Sequence, residues 1–170
     1  MIKGVNGEDL KLYSNIILKL ARDCEKHGRF KEAAVFYASF IQLYPNEPLV
    51  AHYNLARLNY KYLNHQRESL EALEKLIKLL GTEKKNYISN YICLDLAPIY
   101  HLKARVHLFF GQNDGAIQNE KLAETFIKGS NREELESSIH IVKAIAFSRK
   151  GDIKKAEKEI RISEKIKTDR

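Results

Sequence analysis

The residues best suited to do chemistry in this sequence are three arginines that each directly follow an alanine. They occur as Ala21-Arg22, Ala56-Arg57 and Ala104-Arg105. The planar guanidinium group of arginine presents a fork of N–H donors that matches a carboxylate group. If the three side chains form a ladder along one surface, they predict a contact with an acidic segment or a C-terminal peptide.

Side chains that could support catalysis or bind a metal are present, but they lack the spacing that those functions need. Six histidines are scattered along the sequence, and none belongs to an HExxH helix. The two cysteines, Cys24 and Cys93, have no metal-binding spacing and are interpreted as reduced core thiols. The glycines form no phosphate-binding loop, and no serine lies in a nucleophile elbow. We therefore predict a protein that is not an enzyme and has no cofactor and no bound metal.

The composition favours a helix-rich protein that is soluble in the cytoplasm. Of 170 residues, 44% are apolar and 30% are charged, with only three prolines. No apolar run approaches the roughly 18 residues that a membrane-spanning helix needs, and the first nine residues lack a signal-peptide core. The formal charge of +7 favours acidic partners, although the basic residues are interleaved with acidic ones.

The element that must position the arginines is a helical hairpin, seen most clearly over residues 14–47. Apolar residues recur there at three- and four-residue steps, which is helical spacing. Gly28 follows the first helix and Pro45 follows the second, as expected of helix ends. The first helix carries Ile17, Leu20, Ala21 and Cys24 on one face, and the second carries Phe30, Ala33, Tyr37 and Phe40.

The same hairpin recurs along the chain, and small residues mark it at fixed places. The turns are at Gly28, Asn64, Gly111 and Gly151, which are 36, 47 and 40 residues apart. Small residues on both sides of a turn let the two helices approach closely. The small residues five places after each turn are Ala33, Ser69, Ala116 and Ala156; the alanines seven or eight places before are Ala21, Ala56, Ala104 and Ala144.

This pattern resembles the tetratricopeptide repeat, a helix–turn–helix unit of about 34 residues. The matching residues are Leu20-Ala21, Gly28, Phe30, Ala33, Tyr37 and Pro45 in repeat one, Tyr53-Asn54-Leu55-Ala56 in repeat two, Gly111 and Ala116 in repeat three, and Phe147, Gly151 and Ala156 in repeat four. The resemblance implies an all-α fold, a right-handed superhelical solenoid of about four antiparallel helix pairs. Three charged residues depart from the pattern: Lys103 and Lys143 replace apolar residues, and Glu120 replaces an aromatic residue.

We expect one domain over residues 1–170. The four repeats would occupy about 14–47, 49–81, 97–130 and 137–170, with an extra segment at 82–96. Helical geometry places further side chains beside the arginines, since each residue turns the helix by about 100°. These neighbours include Leu18 and Lys26, Tyr53 and Lys61, His101 and Phe109, and finally Ile141, Ile145 and Arg149.

The resemblance also implies a function, because proteins of this family typically bind peptides in a concave groove lined by the first helix of each pair. We predict a non-enzymatic adaptor or scaffold that binds a partner protein there. Arg22, Arg57 and Arg105 would supply charge contacts, and the amide of Asn54 would read the peptide backbone. The flanking contacts would come from Tyr53, Lys61 and Phe109.

Several alternatives stay open at this point. The arginines could be solvated or paired with neighbours such as Glu25, and the protein could be a chaperone for a secreted substrate. Lys84, Lys85, Tyr87 and Tyr91 combine charge with aromatic rings, as in proteins that bind single-stranded RNA. The chain could also form a homodimer through its C-terminal helix, whose candidate contacts are Ile153, Ile160 and Ile166.

Overall fold

A computed structural model describes residues 7–44, 49–82, 96–127 and 132–168. These ranges contain α-helices and no strand, which confirms the predicted all-α class. The helices are α1 (Gly7–Lys26), α2 (Phe30–Leu43), α3 (Leu49–Lys61), α4 (Gln66–Thr82), α5 (Leu96–Phe109), α6 (Asn113–Ile127), α7 (Glu133–Arg149) and α8 (Ile153–Thr168). The middle of the predicted extra segment, residues 83–95, lies outside the described residues, as do Pro45 and the candidate RNA-binding residues at 84–91.

All four predicted turn residues adopt the left-handed backbone conformation that ends a helix. Their φ angles are 72° at Gly28, 58° at Asn64, 73° at Gly111 and 80° at Gly151. At the first turn, the N–H of Gly28 donates to the carbonyl of Glu25 (3.0 Å) and the N–H of Arg29 donates to that of Cys24 (2.8 Å). This is the Schellman arrangement, which satisfies carbonyls that the helix end leaves without partners.

The chain divides into two compact units, residues 1–92 and 93–170. Each unit contains two helix pairs: α1–α2 and α3–α4 in the first, α5–α6 and α7–α8 in the second. A single domain over the whole chain stays a prediction. No helix within the described ranges has both the length and the apolar character needed to cross a bilayer.

The small residues predicted beside the turns lie buried where the two helices of a pair cross. Ala21 and Ala33 are fully buried in the first pair. In the second pair Ser69 takes the place of alanine, and its hydroxyl donates to the carbonyl of Ala56 at 2.8 Å. A side chain larger than these would hold the helices apart, so the spacing of small residues fixes how each pair packs.

Candidate functional site

The first unit brings four of the predicted site residues into one neighbourhood. Arg22 is exposed on α1, whereas Tyr53, Asn54 and Arg57 are half-buried on α3. Nη2 of Arg57 donates to the carboxylate of Glu25 and lies 3.5 Å from Oδ1 of Asn54. Arg57 is therefore held by an ion pair between α1 and α3.

The Glu25 carboxylate also accepts a hydrogen bond from α2, because the hydroxyl of Tyr37 donates to its Oε1 at 2.8 Å. Burial raises the pKa of Tyr37, and the hydrogen bond to Glu25 raises it further. Arg57 and Arg22 oppose that rise in pKa. Both guanidinium charges therefore act on the same phenol.

Lys61, the fifth predicted residue of this unit, contacts a different partner. Its ammonium group lies 5.1 Å from the ring centroid of Tyr62, an arrangement suited to a cation–π contact. The ring of Tyr62 stacks on Phe30 with a centroid distance of 3.8 Å. Lys61 thus lies at the turn between α3 and α4, over an aromatic pair.

In the second unit, α5 and α7 lie side by side and are joined near both ends. Nε2 of His101 and the hydroxyl of Ser138 are 3.1 Å apart. Near the other end, Nη1 of Arg149 donates to the carbonyl of Leu108 at 2.7 Å. The residues that follow His101 and Ser138 by one and two helical turns therefore run along neighbouring rows.

These two rows form a surface that is partly apolar and partly basic. Arg105 and Phe109 are exposed on α5, and Phe109 meets Phe110 edge to face at 5.4 Å between ring centroids. Ile141 and Ile145 are 39% and 40% exposed on α7, and Arg149 continues their row. We call these five residues, Arg105, Phe109, Ile141, Ile145 and Arg149, the α5–α7 surface.

A buried acid and imidazole lie beneath this surface. Oε1 of Glu120 on α6 is 2.8 Å from Nδ1 of His101, and Glu120 is fully buried. Burial raises the pKa of Glu120 to about 10, and the nearby carboxylate of Glu124 raises it too. Burial also lowers the pKa of His101 to about 4, assisted by Arg105. At neutral pH both groups are therefore uncharged, and the Glu120 carboxylic acid donates to the imidazole.

A second buried network is centred on the ammonium group of Lys143. Its Nζ donates to Glu124 on α6 at 2.7 Å and to Glu159 on α8 at 2.9 Å. Oε2 of Glu159 is also 2.6 Å from Nδ1 of His140. Burial alone would lower the pKa of Lys143, but its hydrogen bonds to the two carboxylates outweigh burial and raise it. Lys143 therefore stays charged inside the unit.

The same network contains the ligand types that a metal ion prefers. One ligand atom from each of Glu124, His140 and Glu159 lies within 4.8 Å of the others. However, the Lys143 ammonium group already bridges the two carboxylates and supplies the positive charge that they need. A metal ion would have to compete with this internal cation, so the arrangement suits a structural ion pair better than a metal site.

The sequence indicated where these networks would lie, but it did not reveal their members. Lys103, Lys143 and Glu120 were noted as charged residues where the repeat pattern has apolar or aromatic ones; the structure buries Lys143 and Glu120 and leaves Lys103 half-buried. A buried charge needs a partner on a facing helix. The partners His101, Glu124 and Glu159 could not be chosen from the sequence. Which side chains face each other depends on the rotation of each helix about its axis, and repeat spacing does not fix that rotation.

Comparisons with known proteins show similarity in structure. No protein-family model matches the sequence, and no curated protein matches it. BtubC (BKLC) from P. vanneervenii aligns with a TM-score of 0.78 and 17% identity, over 98% of this chain and 67% of that one. MamA from Desulfovibrio magneticus RS-1 aligns with a TM-score of 0.72 and 16% identity, over 92% of this chain and 77% of that one.

A third similar structure is described as a putative kinesin light chain with nearly identical TPR-like repeats, from Podosopora anserina. It aligns with a TM-score of 0.69 and 18% identity, over 94% of this chain and 76% of that one. Identities this low establish the fold alone. The structural alignments agree with the four left-handed turns and the buried small residues, and together these observations show that the chain is a TPR-like helical repeat protein.

Proposed function

We propose that this protein is a non-enzymatic adaptor that binds an acidic or C-terminal peptide of a partner protein on the first helices of its pairs. The observation that carries the proposal is the α5–α7 surface. Phe109, Ile141 and Ile145 offer apolar area there, and Arg105 and Arg149 lie beside them. Exposed apolar side chains next to arginines are typical of protein-binding sites.

The first unit would add a positioned charge contact. Glu25 engages only one amino group of Arg57, and a guanidinium group has five N–H donors. The ion pair fixes the side chain, so little rotamer entropy would be lost when a peptide carboxylate binds the remaining donors. Arg22 would contact the same peptide, with Asn54 reading its backbone and Tyr53 packing against it; Lys61 would extend the contact towards the turn.

The test is a pair of double substitutions in the full chain that change the net charge equally. Arg22→Glu with Arg105→Glu reverses two exposed cations at the proposed site. Arg67→Glu with Lys121→Glu reverses two exposed cations on the second helices of their pairs. Arg57 is left unchanged, because a glutamate there would face Glu25 and disturb the fold.

Binding is measured by fluorescence anisotropy with a panel of labelled acidic peptides that have free or amidated C-termini. We expect the first variant to bind at least about tenfold more weakly, since charge-assisted hydrogen bonds contribute about 1.5–3 kcal/mol each. The second variant should bind as the unmodified protein does. Equal losses in both variants would show a non-specific charge effect and would overturn the proposal.

The two alternative functions are tested with the same material. An RNA-binding protein would bind labelled oligouridine, and its affinity would fall steeply as the salt concentration rises. The affinity for a peptide held partly by apolar contacts would fall less steeply. A chaperone for a secreted substrate would co-purify with that substrate from its own cell. In either case the acidic peptides would bind weakly or not at all.

We also propose that the chain associates with itself through α8, as the predicted homodimer requires. The supporting observation is the exposure of two large apolar side chains on this helix. Ile153 and Ile160 are 54% and 46% exposed on this helix. The residues that α8 buries are instead small or polar: Ala156, Glu159 and Ser163. The helix therefore leaves large apolar side chains uncovered, and a second protein surface would cover them.

A further inference from the structure

The first helix carries an apolar stripe that its own unit leaves uncovered. Leu12, Ile16 and Leu20 follow one another at four-residue steps on α1 and are 59%, 44% and 43% exposed; Tyr13 beside them is 57% exposed. Four large apolar side chains at helical spacing make a continuous face. The adjacent side of α1, with Ala21 and Cys24, packs against α2; Leu20, predicted to share that face, is exposed at its edge instead.

The repeat pattern shows what kind of element fits this stripe. Ile16 lies five places before Ala21, and the residues five places before the matching alanines of α3 and α7 are Ala51 and Ile139. Both are fully buried. Ala51 belongs to one cluster with Phe40 of α2, and Ile139 belongs to one with Ile127 of α6. In each case the preceding helix, the second of its pair, covers the position.

The α8 helix exposes an apolar residue at a position that is buried in other second helices. Ile160 lies four places after Ala156, and the residues at that place in α2 and α6 are Tyr37 and Glu120. Those two are 1% and 0% exposed, against 46% for Ile160. Tyr37 packs in a cluster that includes Ala51 and Leu58 of the following helix, α3. Ile160 therefore lies where a following first helix would cover it.

Charged residues lie beside both faces. On α8, Glu157 and Glu164 alternate with Ile153 and Ile160 at steps of four, three and four residues, so all four share one side of the helix, with the exposed Arg161 and Lys167 one turn after the two glutamates. On α1, the exposed Lys19 lies three places after Ile16 and directly before Leu20, with Asp23 one turn further on. Glu157 and Glu164 are thus the acidic residues that would meet Lys19 if the two stripes packed together.

We propose that α8 of one copy of this chain docks on α1 of a second copy, head to tail, and continues between molecules the helix stacking that exists within each unit. This extends the self-association proposed above by naming the surface that α8 meets. Because the two faces differ, each assembled copy keeps one face open, and association continues beyond a dimer unless a ring closes.

The experiment measures mass by light scattering after size-exclusion chromatography over a range of concentrations. The measured mass of the unmodified chain should rise with concentration above the 19.7 kDa of one copy. Ile16→Glu and Ile160→Glu should each remain at the mass of one copy. A mixture of the two variants should form a species of twice that mass and no larger, because it retains one intact α1 face and one intact α8 face.

Val35→Glu is the control, since Val35 is 64% exposed on α2 and lies on neither face; it should associate as the unmodified chain does. Charge exchange gives a second test that does not alter the apolar residues. Lys19→Glu and the pair Glu157→Lys with Glu164→Lys should each weaken association at least about tenfold, and the chain that carries all three changes should regain it.

Three results would overturn this pairing. If the unmodified chain stays at the mass of one copy at its highest soluble concentration, these faces do not bind each other. If Ile16→Glu still associates, α8 pairs with itself; if Ile160→Glu still associates, α1 pairs with itself. The first of these two outcomes would leave the proposed C-terminal homodimer standing, and none of the three bears on peptide binding at Arg22 and Arg105.

Discussion

Replacing Glu120 by glutamine tests whether the buried Glu120–His101 pair keeps a proton at alkaline pH. Glu120 is fully buried, its Oε1 is 2.8 Å from Nδ1 of His101, and burial raises its pKa to about 10. A glutamine side chain has the shape of the protonated acid, and its amide can donate to the same imidazole nitrogen. The substitution therefore preserves the hydrogen bond and removes only the titration.

The sign of the pH effect follows from the protons bound in each state. Between pH 7 and 9 the folded chain holds a proton on Glu120, while the unfolded chain does not. The stability of the folded state therefore falls as pH rises through this window, by about 1.4 kcal/mol per pH unit from this group. His101 adds little slope there, because it is mostly neutral in both states above its ordinary pKa of about 6.5. The free energy of unfolding of the unmodified chain should therefore fall by about 3 kcal/mol between pH 7 and pH 9 because of this group, and that of Glu120→Gln should not.

The measurement is urea denaturation followed by circular dichroism at pH 7, 8 and 9. Glu71→Gln is the matched control, since Glu71 is exposed on α4 and should leave the pH dependence unchanged. Parallel curves for the unmodified chain and Glu120→Gln would refute the reasoning. They would mean that the Glu120–His101 pair binds no proton in the folded state over this range, that is, that Glu120 is ionised beside a neutral His101.

Three further substitutions test other parts of the structure through the free energy of unfolding. Lys143→Met should cost about 3–5 kcal/mol, because it leaves the buried carboxylate of Glu159 and the half-buried carboxylate of Glu124 without a cation; a cost below about 1 kcal/mol would show that water reaches Glu159. Ala33→Leu should cost about 1–3 kcal/mol by overfilling a fully buried helix crossing, and an unchanged urea midpoint would contradict close packing there. Gly28→Ala should cost about 1–2 kcal/mol through its φ of 72° alone, since an added Cβ would meet nothing within 4 Å; Gly28→Asn should cost less, and the reverse order would contradict the backbone argument.

The fold could be predicted from the sequence because the features that define it are local. Each turn has a glycine or an asparagine with a left-handed backbone conformation, which other residue types rarely adopt. The first helix, predicted to end before Gly28, ends at Lys26. The second, predicted to end before Pro45, ends at Leu43. These boundaries follow from a few residues each, without reference to distant contacts.

The site was less accessible to sequence reasoning because it depends on pairings between helices. Arg57 was predicted to contact a partner, and its role in recognition stays a prediction; the structure adds the ion pair with Glu25, which lies 32 residues earlier. The apolar half of the α5–α7 surface was foreseen from helical geometry, since Ile141 and Ile145 lie on the row predicted for them. The link between Arg149 and the carbonyl of Leu108 was not foreseen, because a backbone acceptor leaves no trace in the residue types.

The polar networks share a property that apolar packing alone cannot supply. Glu25 on α1 is bound by Tyr37 of α2 and Arg57 of α3. His101 on α5 contacts α6 through Glu120 and α7 through Ser138, and Lys143 on α7 in the same way joins α6 to α8. Each network thus joins three consecutive helices.

The small residues at helix crossings are similar in every pair, so they do not distinguish one neighbouring helix from another. A buried carboxylate without its partner is costly by comparison. The networks therefore favour the correct order of stacking over any displaced one. One network also holds Arg57 by a direct ion pair with Glu25. Another lies close enough to Arg105 for its charge to help lower the pKa of His101 and to oppose the rise in the pKa of Glu120. Two of the three proposed binding arginines therefore lie next to buried polar networks.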